Sequence, residues 1–295
     1  MRKKIRLACA AALGVGAAAF ASSRAEAATC ASLIAADAAF PSASTASTVY
    51  IAGSTAVQVA LEALAPVIAT KNIAIVYQAP DSCQGVADLL GHTAEGGKPY
   101  LFLDPGTLFD AGANAGLASP ITCTVPSAPP IDIAPSDVYP DTCARNLNIG
   151  TVGAITTMST PVRDFFGPIQ AMTFAVPAAS TATSISAEAA YVVFGYDATT
   201  SIVPQWNVPA AIYTRPSTSG TLNMLATAIG LAPTKFANST PGGTATQLAA
   251  GTGNMLSDIA GATTNANATI GQLSFEAITG ASNASAFKIL AYQHT

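Results

Sequence analysis

From residue 48 onward, short apolar runs alternate with segments of helical period. Thr48-Val49-Tyr50-Ile51-Ala52 reads as a buried strand that runs into a turn at Gly53. Between Ser54 and Ile68, the positions Val57, Leu61, Leu64, Ala65 and Ile68 share one helical face, and Ser54 or Thr55 is a natural N-cap. The unit then repeats. Ile73-Ala74-Ile75-Val76-Tyr77 is a second strand, Asp81-Ser82-Cys83-Gln84-Gly85 is a turn, and Val86 to Leu90 is a short helix. Strands that alternate with helices predict an α/β fold with largely parallel sheets.

The later pattern is sparser. Ala35 to Ser47 is small and polar and reads as a flexible lead-in. Gly96 to Asp141 is rich in Gly, Pro and Asp and predicts an irregular insertion, with one short strand at Ile131-Asp132-Ile133-Ala134. Strands are predicted at Ile169–Val176, Ala210–Tyr213, Ile270–Phe275 and Phe287–Tyr292. Helices are predicted over Ser186–Phe194 and Leu222–Ile229. Thr234 to Asn267 has little pattern beyond one possible helix around Leu256–Ile259.

The first 27 residues stand apart. Arg2, Lys3, Lys4 and Arg6 precede an apolar run from Leu7 to Phe20, and Ala25-Glu26-Ala27 forms an A-x-A site. That is the layout of a cleaved export signal. Its run of about 14 residues is too short to span a bilayer. Cys9 has no apolar run before it and does not read as a lipid-anchor site. Removing five cations and one carboxylate takes the formal charge from −4 to −8. Nucleic acid and anionic membrane need basic surface, so neither is an expected partner. The expected product is exported, periplasmic or extracellular, and monomeric.

Cleavage also leaves an even set of cysteines: Cys30, Cys83, Cys123 and Cys143. In an oxidising compartment that predicts two disulfides. Three pairings are possible. Cys123 with Cys143 is preferred because it closes the Pro-rich stretch, which leaves Cys30 with Cys83. No C-x-x-C occurs, so neither a metal nor a cofactor is expected. Asn238, Asn267 and Asn283 begin glycosylation triplets, which arise cheaply in a Ser/Thr-rich chain.

Three turns carry the same chemistry: Gly53-Ser54-Thr55, Asp81-Ser82-Cys83 and Ser219-Gly220-Thr221. Each offers hydroxyls and first-turn amides at a helix start, where no intrahelical acceptor exists and the dipole is positive. Converging helix starts of this kind make an anion site. Arg215, four residues before Ser219, adds a forked charged donor. Taken singly, each turn is an ordinary cap and Arg215 an ordinary surface cation.

In combination these residues resemble the periplasmic phosphate-binding proteins of ABC importers. The resemblance rests on strand-Gly-Ser-Thr-helix, Val76-Tyr77-Gln78 with Ser82 and Gly85-Val86, Ser136-Asp137, Arg215-x-x-x-Ser219-Gly220-Thr221 and Ile270-Gly271-Gln272-Leu273. The stretch from Ser186 through Trp206 is similar to that family's segment before its Arg strand. The resemblance implies a two-lobed type II periplasmic binding fold, with mostly parallel sheets and helices on both faces. Residues 28–175 would form lobe 1, 176–269 lobe 2, and 270–295 a shortened return to lobe 1. It further implies a ligand set of Ser54, Thr55, Ala56, Ser82, Asp137, Arg215, Ser219, Gly220 and Thr221. The implied ligand is inorganic phosphate or a related oxyanion, delivered to the membrane subunits of an importer.

Asp137 would accept the proton that phosphate carries and sulfate lacks; the alternative is a turn cap within Pro-Ser-Asp. The chain departs from the family at Ala56, where a bulky residue is usual, and at Gln84, where glycine is usual. It departs again in the Cys-stapled insertion and in its short end. Two other classes are weighed. An enzyme would need His92 or His294, and no nucleophile-elbow motif accompanies them. A surface or matrix protein that retains the fold without transport is the main alternative.

Overall fold

A computed structural model describes residues 28–91, 99–106, 119–140, 142–143, 162–167, 170–196, 202–236 and 247–293. The export signal, both histidines and Asn238 lie outside these residues.

The first unit is built on a four-stranded sheet. Its strands are β1 (Ser47–Ala52), β2 (Ile73–Gln78), β3 (Tyr100–Asp104) and β4 (Ser119–Cys123), in the order β1-β2-β3-β4. β1 and β2 pair in parallel, whereas β2–β3 and β3–β4 are antiparallel. Alternation along the strands divides the core into two layers. Ala74, Val76 and Phe102 pack beneath α1 (Cys30–Ala36) with Ile34 and Phe40. Ile75, Tyr77 and Leu103 pack against Ala65 of α2 (Gln58–Ala69). The third helix, α3 (Ser82–Gly91), lies against the end of β1. A Cβ on Gly85 would stand 2.3 Å from the Ala52 carbonyl oxygen, so only glycine permits this approach.

The second unit has β5 (Met172–Pro177) at the centre of a sheet ordered β10-β5-β9, with β9 at Gly271–Ser274 and β10 at Phe287–Ile289. Both pairings are antiparallel. Two small parallel pairs complete it: β6 (Ser184–Ser186) with β11 (Ala291–Gln293), and β7 (Tyr213–Thr214) with β8 (Gln247–Leu248). Phe174 and Val176 face α4 (Ala187–Gly195) and α5 (Gly220–Ile229), in a core that holds Trp206. Ala175 and Leu273 face α6 (Thr252–Gly261) and α7 (Phe275–Thr279). No described helix is long and apolar enough to cross a membrane.

Several expectations are corrected. The sheets are mixed rather than mostly parallel. The stretch after Gly96 is not wholly irregular, since it supplies β3 and β4; β3 is a short apolar run hidden between Gly97-Lys98-Pro99 and Pro105-Gly106, and β4 contains Pro120. The lead-in holds the end of α1, Ala35–Ala36, and a 3-10 turn at Ala43–Thr45. Ile133 makes only an isolated bridge to Ile51. Pro209 opens a 3-10 turn where a strand is predicted, leaving only Tyr213–Thr214 extended. The terminal segment pairs with β5, whose residues 172–175 fall within the stretch expected to form lobe 1; β5 and the terminal segment pack with residues 182–236.

The preferred disulfide pairing is also replaced. Cys30 bonds Cys123 and Cys83 bonds Cys143. The start of α1 lies along the end of β4, with the Cys30 amide donating to the Thr124 carbonyl at 2.9 Å. The Tyr139–Cys143 turn packs on α3 beside Cys83, Val86 and Ala87.

Candidate functional site

The predicted turns meet where the two units face each other. At the end of β1, Ser54 is buried and caps a 3-10 turn at Thr55–Val57: its hydroxyl accepts from the Ala56 amide at 3.1 Å. The same Oγ donates to Asp137 Oδ1 at 2.5 Å. Asp137 sits on the loop that follows the Ile51–Ile133 bridge, and the Pro135 carbonyl ties that loop to the Ser54 amide at 2.9 Å. Ser82 opens α3, and its Oγ accepts from the Asp137 amide at 3.4 Å. These residues all belong to the first unit.

The second unit contributes the start of α5. Ser219 is its N-cap, accepting from the Leu222 amide at 3.5 Å. Gly220 follows, packed onto the first unit. A Cβ there would lie 2.4 Å from Ser82 Oγ and 2.8 Å from Asp137 Oδ2. Glycine is required for that contact. Thr221 is buried in the first turn.

Arg215, after β7, is 2% exposed. A guanidinium so enclosed requires partners. Its Nη2 donates to Asp81 Oδ1 at 2.9 Å and its Nη1 to Thr252 Oγ1 at 3.3 Å, while Nε has no partner. Thr252 in turn bonds Thr55 Oγ1 at 2.8 Å.

The structure therefore brings together Ser54, Thr55, Ala56, Ser82, Asp137, Arg215, Ser219, Gly220 and Thr221. Sequence reasoning missed four neighbours: Asp81, Thr218, Thr252 and Tyr77. Thr218 Oγ1 donates to Asp81 Oδ2 at 3.1 Å, and its carbonyl accepts from the Cys83 amide at 3.0 Å. The Tyr77 hydroxyl donates to the Ser54 carbonyl at 2.5 Å. Tyr77 and Asp81 were visible as the ends of a predicted strand and turn. Thr252 lies in a stretch without pattern.

Two titratable groups at the site are shifted by their surroundings. Burial pushes the Asp137 carboxyl above the usual carboxylate range, against the Ser54 and Ser82 hydroxyls and the Arg215 charge, which pull it down. Burial also raises the Tyr77 hydroxyl, and the charges of Asp137, Asp81 and Glu62 raise it further, so it stays a neutral donor. The cysteines beside the site are bridged, and Ser136 closes its own turn by donating to the Val138 carbonyl at 2.7 Å.

No protein-family model and no curated protein sequence matches the chain. Solved structures do. The chain is similar to a putative phosphate ABC transporter substrate-binding protein from Clostridium perfringens, solved with bound phosphate. The two are 16% identical over 84% of this chain and 75% of that one, with a TM-score of 0.49. It is similar also to an ABC-type phosphate transport receptor from Vibrio cholerae, at 14% identity over 83% and 76% of the chains and a TM-score of 0.46. A third is a possible phosphate binding protein from Planctomyces limnophilus, at 10% identity over 84% and 71% and a TM-score of 0.42.

Proposed function

We propose that the chain captures phosphate, or a closely related oxyanion, between its two units as the exported binding component of an ABC importer. The observation that carries this reading is the buried Arg215. Its Nε is unpartnered, and around it stand hydroxyls and helix-start amides drawn from both units. Such a set recognises an oxyanion with one guanidinium and many neutral donors, which suits a chain poor in cations. The formal charge of −8 on the exported chain is no obstacle. Screening over about 8 Å at physiological salt leaves the local donors in control.

Asp137 supplies selectivity. A carboxylate facing an anion is unfavourable unless it accepts a hydrogen bond. Protonated phosphate offers one, whereas sulfate sets its own negative oxygens against the carboxylate.

The test is titration calorimetry on the exported chain, stripped of ligand by unfolding and refolded with its disulfides intact. Phosphate is expected to bind one to one, with sulfate far weaker. Arg215→Ala is expected to weaken phosphate about a hundredfold, the cost of losing a charged donor. Absence of heat with either anion, from a protein shown to be folded, rejects the reading and favours the non-transport surface protein.

A further inference from the structure

Thr252 opens α6, yet its side chain serves another part of the molecule. The N-cap is Gly251, which has no side chain to offer, and Thr252 stands one position inside the helix. A capping threonine turns its oxygen back onto the amides of its own first turn. Thr252 turns outward. Its Oγ1 accepts from Arg215 Nη1 at 3.3 Å, within the second unit, and lies 2.8 Å from Thr55 Oγ1 in the first. The backbone follows it to the seam: a Cβ on Gly251 would lie 3.9 Å from Thr55 Cγ2. The threonine pair is half-buried, whereas the Arg215–Asp81 contact beside it is enclosed.

Hydroxyl arithmetic gives the pair a further property. Each threonine carries one O–H and can also accept. Two hydroxyls at 2.8 Å use one proton between them, and by distance alone either is the donor. The bond from Arg215 uses a lone pair of Thr252 and no threonine proton. Neither hydroxyl has another hydrogen bond among the described residues. One O–H of the pair is therefore uncommitted. It stands next to a guanidinium whose Nε is buried without a partner.

Building on the phosphate reading, we propose that Thr252 relays the Arg215 charge to Thr55 across the two units, and so positions the Thr55 O–H as a donor to the anion. An oxygen that accepts from a cation becomes a stronger donor and a poorer second acceptor, because bonds in a chain polarise one another. Thr252 therefore donates to Thr55, and the uncommitted proton is that of Thr55. The relay exists only where the units meet. With the units apart, both hydroxyls are spent on water. The anion gains this donor on closure, and loses it before it leaves. Thr252 acts through Thr55, as a positioning residue.

The experiment is calorimetric titration of the refolded exported chain with inorganic phosphate, as a double-mutant cycle. Thr252→Val keeps the shape and removes the hydroxyl. It is expected to weaken phosphate about tenfold, the worth of one hydrogen bond to a charged acceptor. Thr55→Val should cost about as much, and the double variant no more than either change alone, because the two residues supply one donor. Thr252→Ser restores parental affinity. Chasing labelled phosphate with unlabelled phosphate should show release about tenfold faster in Thr252→Val, with capture little changed. Should Thr252→Val fail to fold, Thr252→Ala takes its place in the cycle. Parental affinity in the folded Thr252 variant overturns the inference and leaves the phosphate reading standing. So do single losses that multiply in the double variant, since Thr252 would then act without Thr55. A loss confined to capture, or no rescue by serine, overturns it as well. No phosphate heat from the folded wild type overturns both readings.

Discussion

Asp137 carries two opposed demands. Its carboxyl is raised by burial, so the folded protein binds a proton there more readily than the unfolded chain does. The stability this linkage contributes is fully present below the usual carboxylate range. It is lost as pH rises through the raised folded value. Wherever it is ionised, the buried carboxylate therefore weakens the ligand-free fold. Asp137→Asn is expected to melt a few degrees higher than the parent at pH 7 without ligand, with the gap closing on acidification. The same variant should narrow the preference for phosphate over sulfate. Melts across pH and paired anion titrations check both, and a variant that melts lower at pH 7 sinks the account. Arg215 was singled out in the sequence as a forked donor beside Ser219-Gly220-Thr221, and Asp137 through the family resemblance. Asp81 was not, because Pro80-Asp81-Ser82 reads as a cap. The available signal was indirect: an arginine placed in a buried site demands a carboxylate, and Asp81 opens one of the three predicted helix-start turns.

Elements position these residues through close approach. The start of α5 reaches Ser82 and Asp137 only because residue 220 lacks a side chain. Gly220→Ala improves helix propensity by up to about 1 kcal/mol. Its methyl must nevertheless displace Ser82 or part the units. Phosphate affinity is therefore expected to fall at least about tenfold with little change in helicity, read by titration and circular dichroism; parental affinity would mean that the contact does not matter. The two disulfides should separate in the same way. Cys83–Cys143 ties α3 to the turn just beyond Asp137, whereas Cys30–Cys123 ties α1 to β4, away from the site. Replacing Cys83 and Cys143 by serine is expected to impair both stability and binding. Replacing Cys30 and Cys123 should cost stability, about 3–5 kcal/mol, and spare the affinity of the folded fraction. Equal affinity loss in both pairs would refute the distinction. Most of the strands and helices that frame the site were legible, since β1, β2, α5 and β9 have clean periodicity. β3, β4 and the pairing of the cysteines were not. Strand order depends on contacts distant in sequence, and four cysteines carry no label for their partners.

At the scale of the whole molecule, no apolar cluster among the described residues contains residues of both units. Each of the five clusters lies wholly within 30–143 or within 172–290. Among the described residues, hydrogen bonds join the units at Arg215–Asp81, Thr218–Asp81, Thr55–Thr252 and from the Cys83 amide to the Thr218 carbonyl. Such a seam opens more easily than a shared core, and hinge closure around a ligand is the motion it allows. Unfolding should show this directly. Trp206 is the only tryptophan, and it is buried in the core of the second unit. Its fluorescence therefore follows that unit alone, whereas far-ultraviolet circular dichroism follows both. Without ligand, the two denaturation curves are expected to diverge, because no described apolar cluster spans the two units. A ligand held by residues of both units binds only when both are folded. Phosphate at a hundred times its dissociation constant then adds about 2.7 kcal/mol to the joined state. The two curves should move up together and converge. If fluorescence shifts while circular dichroism keeps a separate early transition, the anion binds one unit only. The interface residues of the first unit, Ser54, Ser82 and Asp137, would then not be part of its site.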